Sequence, residues 1–188
     1  VVLGGGSGAW SSSNGTVATV NASTGLVTAV GAGTCNIIYT VTGGCGGTKT
    51  ASKPYTVTPT ANAGTVAAGT TPQCIGATTT YTVSGVVLGG GSGAWSSSNG
   101  SVATVNASTG LVTAVGAGTC NIIYTVTGGC GGTKTASQPY TVTPTTVPGS
   151  ITGGSSPICL GSSTGTLTLG GNTGSVVKWQ SQLNGGGW

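Results

Sequence analysis

The side chains of this sequence with the most chemistry are thiols. Cys35, Cys45, Cys74, Cys120, Cys130 and Cys159 are the six cysteines of 188 residues. They fall into pairs 85 residues apart: Cys35 with Cys120, Cys45 with Cys130, and Cys74 with Cys159. None stands in a C-x-x-C spacing, and no histidine or carboxylate accompanies them. Zinc draws on clustered Cys and His, and calcium on several carboxylates. The pattern therefore points to disulfides rather than to a metal, and no cofactor is expected.

Catalysis finds no footing. General acid–base work uses a group that titrates near the operating pH, most often His, Asp or Glu. The chain has no Asp, Glu or His. A serine nucleophile needs a base; no Ser-x-x-Lys context surrounds Lys49, Lys53 or Lys134, and Ser175-x-x-Lys178 stands without the Ser-Asp-Asn or Lys-Thr-Gly companions of a serine–lysine enzyme. We therefore expect no enzyme. The net charge of +4 comes from these four scattered lysines without any arginine. They form no basic patch, so nucleic acid is not an expected partner. The absence of any run of ~18 apolar residues argues against a membrane-spanning helix. The glycine runs "LGGGSG" and "GGCGG" do not lead into a Lys-Ser/Thr that opens a helix, so they are hairpin turns and not phosphate loops. Asn14, Asn21, Asn99 and Asn106 stand in N-x-Ser/Thr sequences and are expected to serve as turn residues.

The elements that hold the thiols follow from the repeat. Residues 1–60 return at 86–145 with two changes, Thr16/Ser101 and Lys53/Gln138. Later the copies diverge, although "TPQCIG" still aligns with "SPICLG". A period of this length suits one small β-sandwich per repeat. Turn-formers cluster after "PYTVTP" in both copies, so the expected domains are 1–60, lacking its first strands, a complete 61–145, and 146–188, opening a third domain of a different type. The sequence begins inside the repeat and reads as a window of a longer chain.

Within 61–145 the expected strands are "AGTVAA", "TTTYTVSG", "GAWSSS", "SVATVN", "LVTAVGAG", "TCNIIYTVT" and "TKTASQPYTVTP". Alternation of apolar with Thr and Ser residues puts one face in a core and the other in water. Ile122, Tyr124 and Val126 share the core face of the most apolar strand, and Cys120 shares their parity. Trp10 and Trp95 are expected in the sandwich core, with a sugar-binding platform as the alternative. Trp179 is expected to do the same in its own domain.

"WSSSNGSVATVNASTGLVTAVGAGTCNIIYTVT", Trp95 to Thr127, and its copy from Trp10 resemble bacterial immunoglobulin-like repeats of the group 2 type, found in surface adhesins related to invasin and intimin. "AGTVAAGTTPQCIGATTTYTVSG" and "GGCGGTKTA" are similar to tandem repeats of giant secreted surface proteins of Bacteroidetes, including gliding-motility adhesins. "SPICLGSSTGTLTLGGNTGSVVKWQSQLNGGGW" resembles a second immunoglobulin-like type of those proteins, with Gln182-Leu183-Asn184 where an acidic residue is usual. The resemblance implies an all-β chain of tandem immunoglobulin-like sandwiches, placed outside the cell by the type IX route. It implies a stalk or filament of a surface adhesin. A carbohydrate-binding module and a self-assembling fibre are the alternatives. The partners would be neighbouring repeats, identical chains in a filament, or surface polysaccharide.

An extracellular chain with three cysteines per repeat is expected to carry disulfides. Cys120 and Cys130 are separated by about nine strand residues, roughly 30 Å, too far for a bond between them. Cys74–Cys120 is the first expectation, because both fall at one end of the sandwich. Cys74–Cys130 is the second, and the related two-cysteine repeats favour it. The third thiol is left free or bonded to a neighbouring domain or chain.

Overall fold

A computed structural model describes residues 3–176 and 178–180. The Gln182-Leu183-Asn184 departure and Trp188 lie outside the described residues. All regular structure among the described residues is β, and no helix is long and apolar enough to cross a membrane.

The first repeat supplies β1 (Ser7–Ser12), β2 (Ala18–Val20), β3 (Val27–Ala29), β4 (Gly33–Thr42) and β5 (Lys49–Val57). The second supplies β6 (Thr65–Ala67), β7 (Gln73–Cys74), β8 (Thr78–Thr80), β9 (Thr82–Ser84), β10 (Ser92–Ser97), β11 (Ala103–Val105), β12 (Leu111–Ala114), β13 (Gly118–Thr127) and β14 (Lys134–Thr143). Beyond it lie β15 (Ser150–Gly153) and β16 (Leu167–Gly170), an antiparallel pair.

In the second repeat one sheet runs β10-β13-β14-β7 and another β11-β12-β8, while β6 pairs with β9. The alternation of the sequence decides which side chains enter between them. Cys120, Ile122 and Val126 of β13 are buried, and Tyr124 is half-buried beside them. Val112 and Ala114 come from β12, Tyr140 and Val142 from β14, and Trp95 from β10. Register sets Trp95 opposite Tyr124, with ring centroids 5.0 Å apart.

Two features depart from the sequence expectation. "TTTYTVSG" is not one strand but two. The chain changes sheets at Tyr81, so that β8 pairs with β12 and β9 with β6. The residues around Cys74 also form a short strand of their own, parallel to β14, with Thr143 opposite Cys74.

Candidate functional site

Tyr81 is the residue on which the sandwich closes. It is 1% exposed. Its amide donates to the Gly110 carbonyl at 3.0 Å. Its hydroxyl donates to the Pro139 carbonyl at 2.8 Å. Its ring meets Tyr140 edge-on at 6.0 Å. Burial, and then the nearby Tyr140 and Cys120, push the Tyr81 phenol up to about 12. The Tyr140 phenol is raised by burial first and Cys120 second. Unlike Tyr81, the Tyr140 hydroxyl is buried with no hydrogen-bond partner. An unpaired buried hydroxyl costs its desolvation, so Tyr140→Phe is expected to stabilise the second repeat by about 1 kcal/mol. Tyr81→Phe is expected to cost about as much, and urea midpoints of the two variants check the opposite signs.

A cavity of about 300 Å³ opens beside Trp10, lined by Trp10, Gly25, Val27, Ile37, Lys53, Pro54 and Tyr55. It has the lining expected of a sugar platform, but its counterpart in the second repeat explains it. The equivalent positions are Trp95, Gly110, Val112, Ile122, Gln138, Pro139 and Tyr140, identical but for Lys53/Gln138, and there Tyr81 packs on Tyr140 and reaches the Pro139 carbonyl. Trp95 is accordingly buried and Trp10 half-buried. Trp179 departs from its expected core position. It is 56% exposed, beside Ile151 and Leu169 of the β15–β16 pair.

All six cysteines are free. Cys35 and Cys120 are buried, while Cys45, Cys74, Cys130 and Cys159 are exposed. Sheet order separates both expected pairings. Cys120 lies on β13 and Cys74 on β7, with β14 between them. Two strand spacings alone amount to about 10 Å, beyond the ~7 Å that a disulfide spans. Cys74 stands opposite Thr143 at the C-terminal end of β14. Cys130 precedes the N-terminal end of that ten-residue strand, roughly 30 Å away.

Cys130 lies instead at the junction with the first repeat. Its amide donates to the Gly89 carbonyl at 2.9 Å, and its carbonyl accepts from Ala61 at 2.7 Å. Its sulfur is 2.7 Å from the Thr58 hydroxyl. The glycines around it are required by that approach. A Cβ on Gly131 (φ 86) would meet Thr60 Cγ2 at 2.7 Å, and one on Gly129 would meet the Leu88 carbonyl and Ala61. Asn62 and Val87 exchange both backbone hydrogen bonds, at 2.8 and 2.9 Å. Ala61 and Ala63 are buried against Val126. The stretch 58–63 is therefore docked along one end of the second repeat.

The four sequon asparagines organise their own turns. Asn99 Oδ1 accepts from the Ser101 amide and hydroxyl, and Asn106 Oδ1 from the amides of Ser108 and Thr109. Asn14 and Asn21 do the same one repeat earlier. Among the described residues no group of three potential ligands could hold a metal ion.

The sequence profile of the bacterial Ig-like domain (group 2) matches residues 4–52 and again 51–137. A search of curated proteins returns no match. Among solved structures, a C-terminal 282-residue fragment of intimin, in complex with the intimin-binding domain of the translocated intimin receptor, aligns at 18% identity and a TM-score of 0.40. The alignment covers 78% of this chain and 53% of that one, so the chain spans about half the fragment's length. Domains 1–6 of the surface layer protein SbsC align at 19% identity and a TM-score of 0.29, over 77% of this chain and 21% of that one. Mouse cadherin-23 EC22–24 aligns at 12% identity and a TM-score of 0.32, over 73% and 53%.

Proposed function

Since the chain belongs to the bacterial Ig-like domain (group 2) family, we propose that it is a structural segment of an adhesion-type extracellular repeat protein. Its product is length. Each repeat extends a stalk that displays a binding region elsewhere in the protein, and its partners are the repeats on either side. The observation that carries this is the docked linker. A stalk must keep successive domains from folding back on one another. Here 58–63 is held by backbone hydrogen bonds to Cys130 and Val87 and by burial of Ala61 and Ala63. A free linker of Thr, Pro and Ala would leave the domains to move independently.

The proposed units are 1–60, 61–145 and 146–188, with the middle one complete in its strands. The carbohydrate-binding alternative loses its platform. The cavity at Trp10 is filled by Tyr81 in the complete repeat, so a tandem array presents no row of such grooves. The stalk is tested by length. Inserting further copies of 61–145 after Thr145 should raise the maximum dimension in small-angle scattering linearly, by about 40 Å per copy, from strands of ~8–10 residues plus turns. A dimension that grows only as the cube root of mass would mean domains packed into a globule, and the stalk reading would fail.

A further inference from the structure

Two cysteines converge on the same threonine of the repeat. In the second repeat Thr143 stands opposite Cys74 across the parallel β7–β14 pair. Its Oγ1 lies 4.0 Å from Cys74 Sγ. Thr58 is the same residue one repeat earlier, and its Oγ1 lies 2.7 Å from Cys130 Sγ. The threonine ending "PYTVT" therefore touches a cysteine of its own repeat and a cysteine of the repeat that follows. With the two surroundings overlaid on their common threonine, the sulfurs can be no further apart than the sum of those distances. Both are exposed.

We propose that the Cys74-type cysteine of each repeat forms a disulfide with the Cys130-type cysteine of the next, clamping every junction of the array covalently. The counterpart of Cys74 that would serve Cys130 falls ahead of Val1 in the numbering. The odd number of cysteines then has a structural account. One thiol binds the repeat behind and one the repeat ahead. The third, Cys120, is buried in the same core cluster as Tyr81 and Tyr140 and stays a thiol. In the reaction two S–H bonds are lost and one S–S bond forms. The two electrons and two protons pass by thiol–disulfide exchange to a disulfide oxidant, which is reduced to two thiols. The proposal rests on the stalk reading only in needing oxidising surroundings.

The test uses the full chain with a copy of residues 61–85 placed ahead of Val1. This gives the first repeat its own Cys74 counterpart. The protein is folded in a glutathione redox buffer, which supplies the oxidant, so failure to bond counts against the pairing and not against the stalk. Free thiols are alkylated and trypsin is applied without reduction. Cleavage after Lys49 and Lys134, with Lys53 protected by Pro54, separates the added cysteine from Cys130. The expected result is a disulfide joining the two tryptic peptides. It should be lost completely in Cys130→Ser and kept in Cys120→Ser. A bond closed inside peptide 50–134 would mean pairing within one repeat and would overturn the proposal. Alkylation of both the added cysteine and Cys130 would overturn it equally. Thr58→Cys in the unextended chain gives a second readout. It should bond to Cys130 under the same conditions, and a free thiol there would remove the contact on which the proposal stands.

Discussion

Trp95→Ala is expected to destabilise the second repeat by about 3–5 kcal/mol, the cost of emptying a large aromatic site in a packed core. Trp10→Ala, in an identical stretch of sequence, is expected to cost clearly less. Both indoles sit on the same strand register, against Tyr124 at 5.0 Å and Tyr39 at 4.9 Å. The difference lies in what covers them. Trp95 is 7% exposed, in one cluster with Tyr81, Val112 and Ile122. Trp10 is half-buried at the mouth of the cavity that Tyr81 fills in the other repeat. Loss of contacts scales with the atoms that were in contact, so a half-covered indole has less to lose. Urea unfolding followed by fluorescence of the remaining tryptophans measures both variants. Placing the copy of 61–85 ahead of Val1 should then raise the Trp10→Ala cost to that of Trp95→Ala. Equal costs in the unextended chain would show that Tyr81 does not make the difference.

The contrast between these tryptophans also marks how far the sequence could be read. Alternation is local, so the strands and the core parity of Cys120, Ile122 and Val126 followed from neighbours two residues apart. The all-β class and the immunoglobulin-like repeat were readable from the motif between Trp95 and Tyr124. Sheet order is not local. Nothing in "TTTYTVSG" announces that the chain changes sheets at Tyr81. Nothing in "PQCIG" announces that Cys74 pairs in parallel with the far end of β14. That placement puts β14 between Cys74 and Cys120, and a whole strand length between Cys74 and Cys130. The same holds at the junction. "GGCGG" reads as a loose turn, because glycine is what a loose turn requires. It is equally what a turn requires when a second backbone runs against it, and here the linker at Thr60 and Ala61 does so. Trp179 has beside it only the β15–β16 pair, and the core expected for it needs more strands than that.

Stability is expected to be flat from about pH 3 to pH 8 and to fall steeply only in alkali. Stability changes with pH where the folded and unfolded states bind different numbers of protons. With no Asp, Glu or His, no side chain of those types titrates in the acid and neutral range. The first large difference comes from the core phenols. The Tyr81 phenol is raised to about 12 from 10.0 in the unfolded chain, by burial first and by Tyr140 and Cys120 second. Below pH 10 both states hold the proton, and the contribution of Tyr81 to stability is fully present. From pH 10 to about 12 the unfolded chain releases it while the folded chain keeps it. The folding constant then falls about tenfold per pH unit on account of this residue. Tyr140 is raised as well and acts in the same direction. Urea midpoints taken from pH 3 to pH 12 trace the profile. The alkaline slope should shrink in Tyr81→Phe and again when Tyr140→Phe is added. An alkaline slope unchanged in the double variant would place its origin outside the sandwich core. A steep loss between pH 3 and pH 5 would require titrating side-chain carboxylates, which this sequence does not contain.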